Sequence, residues 1–154
     1  MSQGARSAAV TRSILAARLI GFCIYVWAFF MPACMQAASS SEDTPSIYKG
    51  YICAGAMLIN SLKSEFWHSK EFLAILSGWI NPLMVLYLIF LLFPIFRWPR
   101  RIAAGLIVAF MIGTWVFFAL YPLVPLAGHF MWIGGILLIL VGEFFDRKRA
   151  EAAA

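Results

Sequence analysis

Four apolar stretches of about 20 residues each run through this chain, and the charges between them are sorted. The stretches cover residues 19–38, 73–96, 102–121 and 126–145. A bilayer core is about 30 Å thick and takes about 20 helical residues to cross. Each stretch is therefore long enough for one crossing. Nine of the twelve cations fall into three groups beside stretch ends: Arg6, Arg12 and Arg18; Arg97, Arg100 and Arg101; Arg147, Lys148 and Arg149. The others are Lys49, Lys63 and Lys70, all between the first two stretches. Cations in short loops accumulate on the cytoplasmic side. Four crossings then put all three basic groups and both termini inside, and residues 39–71 outside.

Composition agrees. Hydrophobic residues make up 63%, charged residues 12%, and the mean hydropathy is +0.86. A soluble domain averages about 45–50% apolar and about 25% charged residues. A net charge of +5 can signal nucleic acid, but these cations border apolar runs, which suits anionic lipid headgroups on the cytoplasmic side instead. The expected surroundings are the lipid bilayer of a bacterial inner membrane, with no nucleic acid. The first stretch has a basic start, and Met31-Pro32-Ala33-Cys34 resembles a lipoprotein cleavage box. The apolar run is long for a signal and Pro32 suits the box poorly, so the expectation is a retained helix.

Residues 39–71 form the one sizeable extramembrane segment. Thr44-Pro45 reads as a helix start, a capping hydroxyl followed by proline at the first helical position. Tyr48, Tyr51, Ile52, Leu58, Ile59 and Leu62 then recur at helical spacing, predicting a helix over 45–62. Only 13 uncharged residues separate Lys49 from Lys63, too few to cross. A helix on or dipping into the interface fits better. A fifth crossing would also put the basic groups on different sides. Ser69 and Glu71 suit the start of the second span. Residues 97–101 read as a basic cytoplasmic loop, 122–125 as a tight antiparallel link, and 150–154 as an unstructured tail. The fold class is all-α: a four-helix transmembrane bundle with an additional outer interfacial helix, as one membrane domain over 1–154.

No Asp, Glu, Lys, Arg or His lies near the middle of any span, whereas proton relays and ion sites need such groups. The most polar intramembrane run is Ser77-Gly78-Trp79-Ile80-Asn81-Pro82. Pro82 cannot donate to the carbonyl of residue 78, so a bend is expected, with Gly78 unobstructing and Asn81 able to satisfy the freed carbonyl. This kink is either a ligand-facing notch or hinge, or a packing feature whose polar groups satisfy one another. Gly128, Gly135 and Gly142 recur every seven residues, with Gly134 beside them. Such a stripe admits a close backbone, within the bundle or at a homodimer face. Ala17 and Gly21 make a smaller pair of the same kind.

Cys23 reads as an apolar filler inside the first span. Cys34 and Cys53 face the same outer side, either as a disulfide or as two free thiols. His68 and His129 with Glu65, Glu71, Glu42 and Asp43 have no metal-binding spacing. Glu143 and Arg147 are placed for a border ion pair. Trp27, Trp79 and Trp115 lie deep, and their N–H groups need partners. No nucleophile–base pair or phosphate loop is present, so no enzyme, metal or cofactor is expected.

Met31-Pro32-Ala33, Trp79-Ile80-Asn81-Pro82-Leu83 and Gly128-His129-Phe130-Met131-Trp132 together resemble elements of small bacterial four-helix integral membrane proteins with no established role. The resemblance implies a fold and a compartment. Size and tryptophan content are also similar to those of the five-helix tryptophan-rich sensory proteins, but their proline-rich signature is absent. Two roles follow. One is an accessory component that joins a larger membrane partner or a homo-oligomer. The other is a binding or transport module for a small hydrophobic molecule.

Overall fold

A computed structural model of the chain describes residues 3–36, 46–62, 72–120 and 123–152. In chain order these form α1 (Gln3–Ala28), β1 (Pro32–Gln36), β2 (Ser46–Lys49), α2 (Gly50–Ser61), α3 (Phe72–Leu92), a 3₁₀ turn at Pro94–Phe96, α4 (Arg97–Leu120), β3 (Leu123–Pro125) and α5 (Ala127–Ala152). The protein is predominantly helical. Two helices, Val10–Ala28 and Arg97–Leu120, are long and apolar enough to cross a membrane by length and composition. Gly50–Ser61, Leu76–Leu92 and Ala127–Glu143 are shorter apolar helical stretches.

The long helices pack chiefly in two pairs, α1 with α5 and α3 with α4, while α2 lies against α3. The expected tight pairing of the last two spans is thus not the main contact of α5. The core between the pairs holds Tyr25, Ile80, Met84, Tyr87, Ala103, Ile107, Met111, Ile136, Ile139 and Leu140. Outward faces are apolar too: Leu19, Phe22 and Val26 on α1, Val85 and Ile89 on α3, Ile112 and Val116 on α4, and Leu137 on α5 are exposed. Apolar surface on this scale belongs in lipid or against a partner rather than in water.

The α1–α5 contact is a backbone approach. A Cβ on Gly135 would stand 2.7 Å from Tyr25 N and 2.8 Å from Gly21 O. On Gly21 it would stand 2.7 Å from Leu138 Cβ and 2.8 Å from Gly135 O. Gly128 faces the Pro32 carbonyl at 2.7 Å in the same sense, and Gly134 has nothing within 4 Å. Gly142 departs from the backbone-contact expectation, because the guanidinium of Arg18 occupies the space where its side chain would be.

Several boundaries differ from the sequence reading. The first span ends at Ala28, and residues 32–36 pair as strand instead of continuing the helix. β1 is central in an antiparallel sheet of order β2-β1-β3. Cys34 is opposite Tyr48 on one side and Pro125 on the other, with an irregularity between Pro32 and Cys34. Three strands this short carry no periodic signal of their own. The interfacial helix begins at Gly50, not 45, because Ser46–Lys49 is strand. Thr44 and Pro45 lie outside the described residues. Gly50 N donates to Met31 O at 3.0 Å and Tyr51 N to Phe29 O at 2.9 Å. The first amides of α2 therefore meet carbonyls just beyond the end of α1, groups with no partner in their own helices.

The basic 97–101 segment is the first turn of α4, not a loop. Pro99 is tolerated there because first-turn N–H groups have no helical acceptor. The expected tail is helical to Ala152. Cys23 is exposed on the bundle surface, not a buried filler.

Replacing Gly135 by Val should lower stability by about 1–3 kcal/mol through overpacking of α1. Gly134→Ala should change it by at most about 1 kcal/mol, in the stabilising direction. Thermal unfolding of the two variants in detergent, followed by tryptophan fluorescence, compares them.

Candidate functional site

Two residues of the polar run on α3, Ser77 and Asn81, line a partly open cavity. Pro82 sits within a continuous α3 helix, and Asn81 faces inward one position before it. Tyr25 Oη donates to Asn81 Oδ1 at 2.8 Å, and Trp132 Nε1 donates to the same atom at 3.1 Å. Two donors converging on one atom identify it as the carbonyl oxygen of the amide. Asn81 thus ties α1, α3 and α5 together. One turn earlier on α3, Ser77 Oγ lies 3.0 Å from Thr114 Oγ1, which also bonds to the Phe110 carbonyl at 3.0 Å. That pair ties α3 to α4.

Gly78 also meets a second helix. A Cβ there would stand 2.6 Å from Met57 O, so the missing side chain admits the backbone of α2. Trp79 points outward and is exposed, as are Trp27 and Trp115. The indole that reaches a buried acceptor is Trp132. The 77–82 run therefore divides by helical face: Ser77, Gly78 and Asn81 meet other elements, while Trp79 looks away.

Above Asn81 lies a cavity of about 80 Å³. A single water needs about 10–15 Å³, so the space matches several waters or one small organic molecule. Ala28 at the end of α1, Phe29 in the turn after it, Met57 of α2, Phe117 and Phe118 of α4, and Leu123 and Trp132 form its apolar wall. Asn81, Ser77, Thr114, His129, Cys34 and Cys53 supply polar atoms.

His129 is buried among aromatic rings, with centroids at 4.6 Å from Phe118, 5.5 Å from Trp115 and 5.6 Å from Trp132. Its Nε2 is buried and has no hydrogen-bond partner among the described residues. A buried polar atom without a partner costs about 1–3 kcal/mol, so a ligand that supplies one gains that energy on binding. The sequence placed His129 with the acidic residues of the outer segment. Here it belongs to the cavity, and His68, Glu42, Asp43, Glu65 and Glu71 lie outside the described residues. Among the described residues no group of three or more His, Cys, Asp or Glu is arranged to hold a metal ion.

Cys34 Sγ and Cys53 Sγ lie 3.1 Å apart on the cavity wall and are both free thiols. The hydrogen bond with Cys53 holds the Cys34 thiol below its ordinary range, and the same bond, with burial, pushes Cys53 up.

A second polar cluster lies at the other end of the bundle. Glu143 Oε1 is 2.7 Å from Arg100 Nε and 3.6 Å from Arg18 Nη2, and accepts from Tyr87 Oη at 3.0 Å. Glu143 thus has cross-helix partners that the sequence reading did not name; the Arg147 side chain of the expected Glu143–Arg147 pair lies outside the described residues. The three charged side chains are 10%, 14% and 21% exposed for Glu143, Arg100 and Arg18.

Tyr25, Trp132 and Thr114 were not singled out as site residues. Each is a hydrogen-bonding group within an apolar run, which is itself the signal. What pairs with what depends on helix order around the bundle. Comparison of the chain with protein-family models, with curated proteins and with solved structures finds no match in any of the three.

Asn81→Leu strands two buried donors and should destabilise by about 1–3 kcal/mol for each. Tyr25→Phe removes a donor without stranding one and should cost about 1 kcal/mol. Glu143→Gln leaves two arginines without their carboxylate and should cost about 3 kcal/mol or more. Thermal melts of the three variants in one detergent rank them, and Y25F losing as much as N81L would contradict the Asn81 assignment.

Proposed function

We propose that this chain is a four-span protein of the bacterial inner membrane, with both termini cytoplasmic, that binds a small hydrophobic molecule in the chamber above Asn81. The observation that carries the reading is the cavity itself. It combines an apolar and aromatic wall with one buried polar atom, His129 Nε2, that lacks a partner among the described residues. Sites for small apolar ligands have this make-up: a greasy wall and a few placed polar groups that orient the guest. The fitting ligand is neutral, has a ring or short chain, and carries one hydrogen-bonding group.

The four-span reading is supported by helix length and charge. α3, the shortest of the long helices at 21 residues, rises about 31 Å, close to the core of a bilayer. The three basic groups fall at the same end of such a bundle, as the positive-inside bias requires. The β1–β3 sheet and α2 then form an outer cap, and anionic lipid headgroups meet the arginines inside.

An accessory or interaction role draws on the glycine-lined face. At Gly128, Gly135 and Gly142 that face is occupied within the chain, by the Met31–Pro32 backbone, α1 and the Arg18 side chain, and Gly134 alone of these glycines has open space beside it. The cavity therefore gives binding the better support.

Topology is read by cysteine labelling in intact cells with a membrane-impermeant maleimide, in a background without native cysteines. Ser46→Cys should label from outside, and Arg101→Cys only after permeabilisation. Binding is read by calorimetry on protein in nanodiscs, with a lipophilic phenol as probe. One saturable site per chain is expected. His129→Leu should weaken it about tenfold, the equivalent of one hydrogen bond, and Ala54→Phe should abolish it by filling the chamber. Equal, non-saturating uptake by all three proteins would sink the reading.

A further inference from the structure

We propose that Cys34 and Cys53 are a redox-active dithiol that cycles between two thiols and one disulfide by exchange with small disulfides. The two sulfurs come from different elements and converge to 3.1 Å on one wall of the cavity. A disulfide bond is about 2.05 Å long, so closure needs a movement of only about 1 Å. Both positions are held by backbone. Cys34 lies in the central strand, paired to β2 and β3. Cys53 lies in the first turn of α2, whose leading amides bond to Phe29 and Met31. The 29–31 turn thus leads directly into the strand of one cysteine and anchors the helix of the other, so backbone bonds set their separation. This inference does not depend on the binding reading.

The thiols are not equivalent. The two sulfurs share one hydrogen bond, and hydrogen bonding to a charged form favours it; that bond lowers the Cys34 thiol and raises Cys53, which makes Cys34 the better thiolate. Cys34 is buried, whereas Cys53 is partly exposed. In the exchange, the Cys34 thiolate attacks one sulfur of the small disulfide R–S–S–R. That S–S bond breaks, a thiolate RS⁻ leaves, and a mixed disulfide forms on Cys34. The Cys53 thiol gives its proton to the released thiolate and attacks Cys34 Sγ. The mixed bond breaks, the second RS⁻ leaves, and it takes up the proton that Cys34 gave up earlier. Two protein thiols are oxidised to one disulfide, and one small disulfide is reduced to two thiols. Cys23, exposed on α1, takes no part.

The full-length protein in detergent is equilibrated across a series of oxidised-to-reduced glutathione ratios and quenched with acid. It is then unfolded and labelled with a maleimide, and intact mass spectrometry counts the labels. The reduced protein should take three labels. The oxidised protein should take one and have lost the mass of two hydrogens, with peptide mapping placing the bond between residues 34 and 53. The oxidised fraction should follow the glutathione ratio from either direction. Cys23→Ser should leave the loss of two thiols intact. Cys53→Ser should lose the disulfide and accumulate one glutathione adduct on Cys34. Three labels at every ratio would overturn the proposal. So would a bond that involves Cys23, or a 34–53 bond that reductant cannot open in the folded protein.

Discussion

One carboxylate holds the four long helices together. Glu143 of α5 meets Arg100 of α4, Arg18 of α1 and the hydroxyl of Tyr87 of α3. In a partly buried setting each of these charges is costly alone, and together they compensate one another. The cluster also answers a local conflict. Arg97, Arg100 and Arg101 stand in the first turn of α4, where the helix dipole disfavours cations. A carboxylate brought from another helix to that end relieves it. Gly142, one residue before Glu143, leaves the space in which Arg18 reaches the carboxylate.

From that cluster the bundle is built in layers, as the order of residues along each helix shows. Next come Met84 on α3, Ala103 and Ile107 on α4, and Ile136, Ile139 and Leu140 on α5, all buried and apolar. Then follows a second polar layer, Tyr25, Ser77, Asn81, Thr114 and Trp132, in which every group bonds across helices. Beyond it the packing opens into the cavity. A bundle clamped by polar contacts below the chamber can leave space above them, because the apolar layer between already supplies the packing that holds the helices together.

The cap borders the chamber and meets the helices through backbone. Gly78 lets α2 rest on α3, Gly50 lets the start of α2 rest on the end of α1, and Gly128 lets α5 meet the Met31–Pro32 segment. The sheet and the amides of Gly50, Tyr51 and Leu126 bond this layer to the α1 end. These contacts do not depend on long side chains, and the cap brings Cys34 and Cys53 to the cavity that His129 of α5 also lines.

The helical class, the long apolar stretches and the unusual polarity of residues 77–82 were legible from composition and spacing, because length, hydropathy and proline act locally. The short strands were not, since three to five residues without alternation leave no periodic trace. Nor was the contact of Gly78 with the backbone of α2, which comes from a helix distant in sequence from Pro82's own turn. By itself the sequence determined that this chain forms long apolar helices, since hydrophobicity and helical rise are properties of each segment; the expected confinement of charge to span borders does not hold for α1, whose apolar stretch Val10–Ala28 carries Arg18 near its middle, paired with Glu143. Only the tertiary structure decided that Glu143 answers Arg100 and Arg18 from two other helices. It alone also decided that Asn81 binds Tyr25 and Trp132, and that two thiols and a histidine share one cavity. Those pairings depend on which helix faces which, and the long-range packing of faces is not encoded in any one segment.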